Sequence, residues 1–276
     1  MVKRLLRIVV ILAVAGGLFY FWVLVRTREM RTLEPLATGE CELVEDAVGA
    51  EDITIHRSSA TAFVSSFDRR AERRGETVNG RILAYDLETR ALVDVTPEEP
   101  AVFRPHGIAI YQDRAALLLF VVNHRDERST IEILEYNGAR LSHRETIADP
   151  LLISPNDLVA VGPRSFYVTN DHGAAGGWKV VLEDFFGLAR AGVVYFDGEG
   201  MTRVAEGLAY ANGIQASRYG REIYVAGTTR GLLYIFGRDV ETGELGKPFE
   251  MPLGTGSTTS RSIATANCGS RLIPSF

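Results

Sequence analysis

From Ile8 to Val25 the chain reads IVVILAVAGGLFYFWVLV, with no charged side chain. That run is about long enough to cross a bilayer as a helix. Lys3, Arg4 and Arg7 precede it, Arg26 and Arg28 follow it, and Tyr20 and Trp22 suit an interfacial belt at its outer end. A cleavable signal peptide has a shorter apolar core and a small-residue cleavage site. Here the run ends in Trp22-Val23-Leu24-Val25 and then Arg26. The pattern predicts an uncleaved signal anchor. Positive charge on both sides sets the orientation only weakly, and the body is expected on the extracytoplasmic side.

Beyond the polar connector the period changes. Short runs rich in Val, Ile, Tyr and Phe recur at 82–87, 107–111, 116–123, 130–136, 165–170, 192–197, 222–227 and 232–238, bounded by Gly, Asn and Asp. These are strand signals. Only 180–190 (VVLEDFFGLAR) spaces apolar residues as a short helix would. The hairpin-like units return loosely, and a propeller blade takes roughly 40–50 residues. The body is therefore expected to hold about four to five blades. A sandwich or barrel is the rival on pattern alone.

Composition narrows the class. The chain has 276 residues, is 46% hydrophobic and carries a net charge of −5. It can bury a core, and nothing in its overall charge favours nucleic acid. The mixed-sign stretch 68–76 (DRRAERRGE) reads as a solvated loop. Two cysteines, Cys41 and Cys268, do not make a disulfide scaffold, although one bridge is possible outside the cytosol. No Asn-x-Ser/Thr sequon occurs.

Candidate chemistry sits at loop-to-strand junctions. Glu51 and Asp52 precede Ile53-Thr54-Ile55; Asn156 and Asp157 lie in Ser154-Pro155-Asn156-Asp157-Leu158; Asn212 opens Asn212-Gly213-Ile214. Carboxylate and amide oxygens are ligands for a hard cation such as Ca2+. A propeller gathers such junctions around one channel. Any one of them alone reads as a turn cap. His106, His124 and His172 are candidate proton carriers, with His56 and His143 behind them.

Several strings together decide the reading. CELVEDAVGAED (41–52), FRPHGI (103–108), VVNHRDERSTIEI (121–133), SPNDLVAVGPRSFYVTNDHG (154–173) and VAEGLAYANGI (204–214) resemble the paraoxonase/arylesterase family, in its order and spacing, from about Cys41 to Gly254. The resemblance implies an all-β, six-bladed propeller, incomplete here, with two calcium ions in its central tunnel. It implies Glu51, Asn156 and Asn212 as ligands of a catalytic calcium. Asp52, Asp157 and the carbonyl of Ile108 would hold a structural one, with His172 near it. It implies His106 as general base and His124 as its dyad partner. The expected reaction is calcium-dependent hydrolysis of an ester or lactone. Trp178 and the Phe and Leu residues of 176–190 would supply pocket wall or membrane-facing surface. A membrane-tethered, non-enzymatic propeller scaffold or chaperone, or an inactive truncated product, is the alternative. A gluconolactonase-like or strictosidine-synthase-like propeller is a third, and the PNDLVAVG and TNDHG pair speaks against it.

The last residues depart from the family. Where it has Val-Asp-Asn-Ile, then Leu-Trp and His-Pro, this chain reads GSTTSRSIATANCGSRLIPSF (256–276). With suitable codons, a frame shifted by one base permits V-D-N-I, L-W and H-P at the right spacing. The expectation is a frameshift near Gly254 to Gly256. Cys268 would then not be the partner of Cys41, whose family partner lies at the far C-terminus, and the catalytic calcium would lack the two ligands that the family's Asp-Asn pair supplies. The expected organisation is anchor 1–26, connector 27–40, propeller 41–255 and aberrant tail 256–276.

Overall fold

The alternation along β6 (Ala116–His124) shows how these strands make a core. Leu117, Leu119 and Val121 enter one apolar cluster, and Leu118, Phe120 and Val122 enter the next. A strand sends successive side chains to opposite faces. An unbroken apolar run therefore belongs to a sheet buried on both sides, as a middle blade of a propeller is.

The computed structural model describes residues 2–26, 42–114 and 116–253. Connector 27–40, tail 256–276, Cys41 and Cys268 lie outside the described residues, and so do the expectations that fall on them. Helix α1 (Val2–Arg26) has 25 residues. By length and composition it can cross a membrane, with a mean hydropathy of 2.6.

The body is four antiparallel four-stranded sheets, each a meander in chain order. Blade 1 holds β1 (Ala50–His56), β2 (Thr61–Ser66), β3 (Arg81–Asp86) and β4 (Leu92–Asp94). Blade 2 holds β5 (Pro105–Asp113), β6, β7 (Ser129–Tyr136) and β8 (Leu141–Ile147). Blade 3 holds β9 (Pro155–Ala160), β10 (Phe166–Asn170), β11 (Ala191–Phe196) and β12 (Met201–Leu208). Blade 4 holds β13 (Ala211–Ala216), β14 (Glu222–Gly227), β15 (Leu232–Gly237) and β16 (Phe249–Pro252). Two short helices interrupt them, α2 (Arg69–Arg73) and α3 (Trp178–Phe186).

The first strands of successive blades pack side by side, β1 on β5, β5 on β9 and β9 on β13. They form the inner wall. Three apolar clusters lie between blades, one between each neighbouring pair. The outer strands β8, β12 and β16 carry mostly exposed or half-exposed side chains. Their sequences (LSHRETI, MTRVAEGL, FEMP) lack the apolar runs that mark the middle strands.

The helix expected at 180–190 is α3, which begins and ends slightly earlier. Gly187 stops it with a left-handed φ of 57°. Its apolar residues are not turned inward: Trp178 is 70% exposed and Phe186 53%. Glu183 is the residue it buries.

Candidate functional site

All four inner strands carry the same irregularity. Ala50 pairs with Ser66 and Ile53 with Val64, so Glu51 and Asp52 stand opposite the single residue Ser65. His106 and Gly107 likewise stand between Pro105↔Asn123 and Ile108↔Val121. Asn156 and Asp157 lie between Pro155↔Asn170 and Leu158↔Val168. Asn212 and Gly213 lie between Ala211↔Gly227 and Ile214↔Val225. Two residues against one is a β-bulge, which kinks a strand and re-aims a side chain. The tetrapeptides AEDI, PHGI, PNDL and ANGI are thus one structural position repeated around the wall. Glu51, His106, Asn156 and Asn212 take the first bulge place, and Asp52, Gly107, Asp157 and Gly213 the second.

The second place alternates aspartate with glycine because the aspartates staple neighbouring blades. Asp52 Oδ1 accepts from Ile53 N at 2.8 Å, and its Oδ2 from Ile108 N of blade 2 at 2.8 Å. Asp157 repeats this with Leu158 N at 2.7 Å and Ile214 N of blade 4 at 2.9 Å. A hydroxyl completes each staple. Ser65 Oγ accepts from Asp52 N at 3.0 Å and donates to His106 O at 2.6 Å. Thr169 Oγ1 accepts from Asp157 N at 3.1 Å and donates to Asn212 O at 2.6 Å. Blade 3 in turn comes very close to Gly107. A Cβ there would lie 2.5 Å from Asn156 O and 2.7 Å from Asp157 Oδ1. Asp52, Asp157 and the Ile108 peptide are therefore brought together at the Gly107 crossing.

At the first bulge places, blade 1 meets blade 2. The His106 and His124 rings meet edge to face, with centroids 4.9 Å apart, and His124 Nδ1 is 2.9 Å from Ser129 Oγ. Arg69, the first residue of α2, reaches both Glu51 Oε2 at 2.8 Å and His106 Nδ1 at 2.5 Å. The helix is capped by the Asp68 carboxylate, which accepts from Arg70 N and Ala71 N. The stretch expected as a solvated loop is thus a short helix that sends one arginine to the site. His106 Nε2 is buried and 3.4 Å from Glu51 Oε1, and it makes no hydrogen bond among the described residues. Burial above all, then the charges of His124 and Arg69, push the His106 imidazole down to about 3. Burial and Arg69 lower His124 as well. Both rings are neutral at neutral pH. A cavity of about 250 Å3 opens beside them, lined by Arg69, Arg104, His106, His124 and Arg125 among others.

Blade 3 supplies a carboxylate that the sequence reading did not name. Asp171 Oδ2 accepts from Asn156 Nδ2 at 3.2 Å, and its Oδ1 accepts from Ser154 Oγ. Burial alone would raise the Asp171 carboxyl, but hydrogen bonds from His172 and Ser154 outweigh it and hold it low. His172 sits between Asp171 Oδ1 at 2.7 Å and Asp184 Oδ1 of α3 at 2.9 Å. Chiefly through Asp171, the His172 imidazole is raised to about 9. Tyr210 closes over that ring at 5.0 Å. Asp171 was visible in the quoted TNDHG string, next to His172. Tyr210 lay in the string 204–214, two residues before Asn212; Arg69 and Asp184 had no sequence signal, because each reaches the site from a separate helix.

The donor set suits a hard cation. Carboxylate, amide and peptide oxygens dominate, and thiolates are absent from the described site. Glu51, Asn156 and Asn212 stand at equivalent bulges, with Asp171 bonded to Asn156. Among the described residues no group of three or more His, Cys, Asp or Glu side chains is arranged to hold a metal ion; the candidate carboxylates are mixed with amides and peptides. His172 differs from the other expected metal residues. Both its nitrogens are engaged by carboxylates, so it offers no lone pair while protonated.

The arylesterase family profile matches residues 33–259. Serum paraoxonase/arylesterase 1 of Homo sapiens is 36% identical over 213 residues, which cover 73% of this chain and 60% of that protein. Serum paraoxonase/arylesterase 2 of Gallus gallus is 35% identical over 212 residues, with the same coverage. The chain thus spans about 60% of the length of these curated relatives. Among solved structures, a calcium-binding protein, regucalcin, of Agrobacterium tumefaciens superposes with a TM-score of 0.50 at 14% identity. The match covers 77% of this chain and 62% of that one, and it reports the shared fold.

Proposed function

The chain belongs to the arylesterase family, and from that membership and the bulged inner wall we propose that it is a calcium-dependent hydrolase of carboxylic esters or lactones. One observation carries the reading. Four blades in succession bulge at one position and present Glu51, His106, Asn156 and Asn212 there. Bulges recur next to active sites, where they aim side chains.

Glu51, Asn156 and Asn212, with Asp171 beside them, are the residues that would hold a catalytic calcium. Asp52, Asp157 and the Ile108 carbonyl would hold a structural one. When bound, calcium would polarise the substrate carbonyl and stabilise the negative charge that develops on its oxygen. His106 is neutral and, once Arg69 leaves its Nδ1, can accept a proton. It takes one from water as the water oxygen bonds to the carbonyl carbon. The ester C–O bond then breaks, and the proton passes to the leaving alkoxide. His124, edge-on to His106 and held by Ser129, positions the base. His172 fixes Asp171 rather than ligating an ion. The exposed Trp178, Phe185 and Phe186 on α3 offer an apolar surface for a lipid or an aryl substrate, and α1 anchors the body to a membrane on its extracytoplasmic side.

The test uses the full chain in detergent, titrated with calcium by calorimetry and assayed on phenyl acetate and a δ-lactone with and without chelator. Calcium-dependent turnover that Glu51→Gln lowers at least about a hundredfold supports the reading. Calcium binding without turnover would favour the tethered scaffold.

A further inference from the structure

Arg69 does two things at once. Its guanidinium neutralises Glu51 Oε2 at 2.8 Å and donates to His106 Nδ1 at 2.5 Å. Arginine has donors only, so Nδ1 is the acceptor and the ring proton belongs on Nε2. The basic lone pair of His106 is therefore occupied. One side chain masks both the carboxylate that would take a cation and the nitrogen that would take a proton.

We infer that Arg69 is a built-in cation gate, whose displacement from Glu51 couples metal loading to release of the His106 lone pair. This rests on the reading that the site takes calcium. A divalent cation on Glu51 and a guanidinium 2.8 Å from the same carboxylate repel each other, so the two states exclude one another. The Arg69 side chain is 41% exposed and leaves from the first turn of a five-residue helix. It can swing outward without disturbing a core cluster. The helix itself stays anchored by the Asp68 cap and by the Glu72 contact to Arg104 at 3.3 Å. Arg69 is thus a positioning residue, whose guanidinium competes with a cation for the same carboxylate.

Calorimetric titration of the full chain in detergent with calcium chloride tests the gate without any turnover. Arg69→Ala and Arg69→Gln are compared with the unaltered chain, with Arg69→Lys, and with Arg70→Ala, an exposed neighbour of equal charge. Removing the competing ion pair is expected to tighten calcium binding roughly five- to twentyfold in both neutral variants. Arg69→Lys should stay within about threefold of the unaltered chain, and Arg70→Ala within about twofold. The calcium-induced rise in unfolding temperature should grow in the same order. Binding by the neutral variants alone also supports the gate. Equal binding by all five proteins, or weaker binding by the neutral variants, overturns it and leaves the calcium reading standing. No binding by any of them overturns both.

Discussion

Replacing Gly107 by alanine tests the crossing on which the site is built. The added Cβ would lie 2.5 Å from Asn156 O, 2.5 Å from Asp157 Cα and 2.7 Å from Asp157 Oδ1. Carbon contacts are comfortable at about 3.5–4.0 Å, so blades 2 and 3 must part by about 1 Å. No rotamer relieves this, because two of the three atoms are backbone. That backbone is held in turn by the Asp157 bonds to Leu158 N and Ile214 N. Overpacking that side chains can absorb costs about 1–3 kcal/mol, and an unyielding neighbour places Gly107→Ala at or above 3 kcal/mol. The assay is urea unfolding of the full chain in detergent, followed by circular dichroism. Gly200→Ala is the control, since nothing lies within 4 Å of its Cβ position. It should shift stability by no more than about 0.5 kcal/mol. If Gly107→Ala unfolds within about 0.5 kcal/mol of that control, the close approach of the two blades is wrong, and with it the meeting of Asp52 and Asp157.

Asp157→Ala removes the acceptor of two backbone N–H groups, Leu158 and Ile214. The expected loss is about 2–5 kcal/mol in the same unfolding assay, with Asp157→Asn recovering part of it. His172 gives a pH signature. Its folded pKa of about 9 lies above its ordinary value of 6.5, so its contribution is full below pH 6.5 and lost as pH rises through 9. The unfolding temperature should fall across that window, and His172→Gln should flatten the fall. A slope that survives the substitution would place the titration elsewhere.

Much of the site was legible as residue types. Acidic and amide side chains at strand entries are unusual enough to stand out, and Glu51, Asn156 and Asn212 did. That PHGI belongs with AEDI, PNDL and ANGI was readable in principle, since all four open a strand with a polar residue two places before Ile or Leu. What hid it was the bland look of Gly107, whose missing side chain makes room for the blade next door. Outer strands such as β12 and β16 escaped notice because their exposed faces impose no apolar pattern. The 68–76 stretch was misread because charge density describes a surface and cannot tell which one arginine turns inward.

By itself the sequence determined the local things: an apolar helix at the start, short two-sided strands, the order of blades and the chemical character of the inner wall. Side-chain period and hydrophobicity act over a few residues, so they can be read along the chain. Tertiary structure alone decided which groups meet. Arg69 reaches Glu51 across 18 positions, Asp52 reaches Ile108 across 56, and Asp157 reaches Ile214 across 57. The His106 and His172 imidazoles are displaced in opposite directions, to about 3 and about 9. One is buried beside cations and the other is held between carboxylates. Desolvation and Coulomb fields depend on distance in space, and only the closed packing of blade on blade sets that distance.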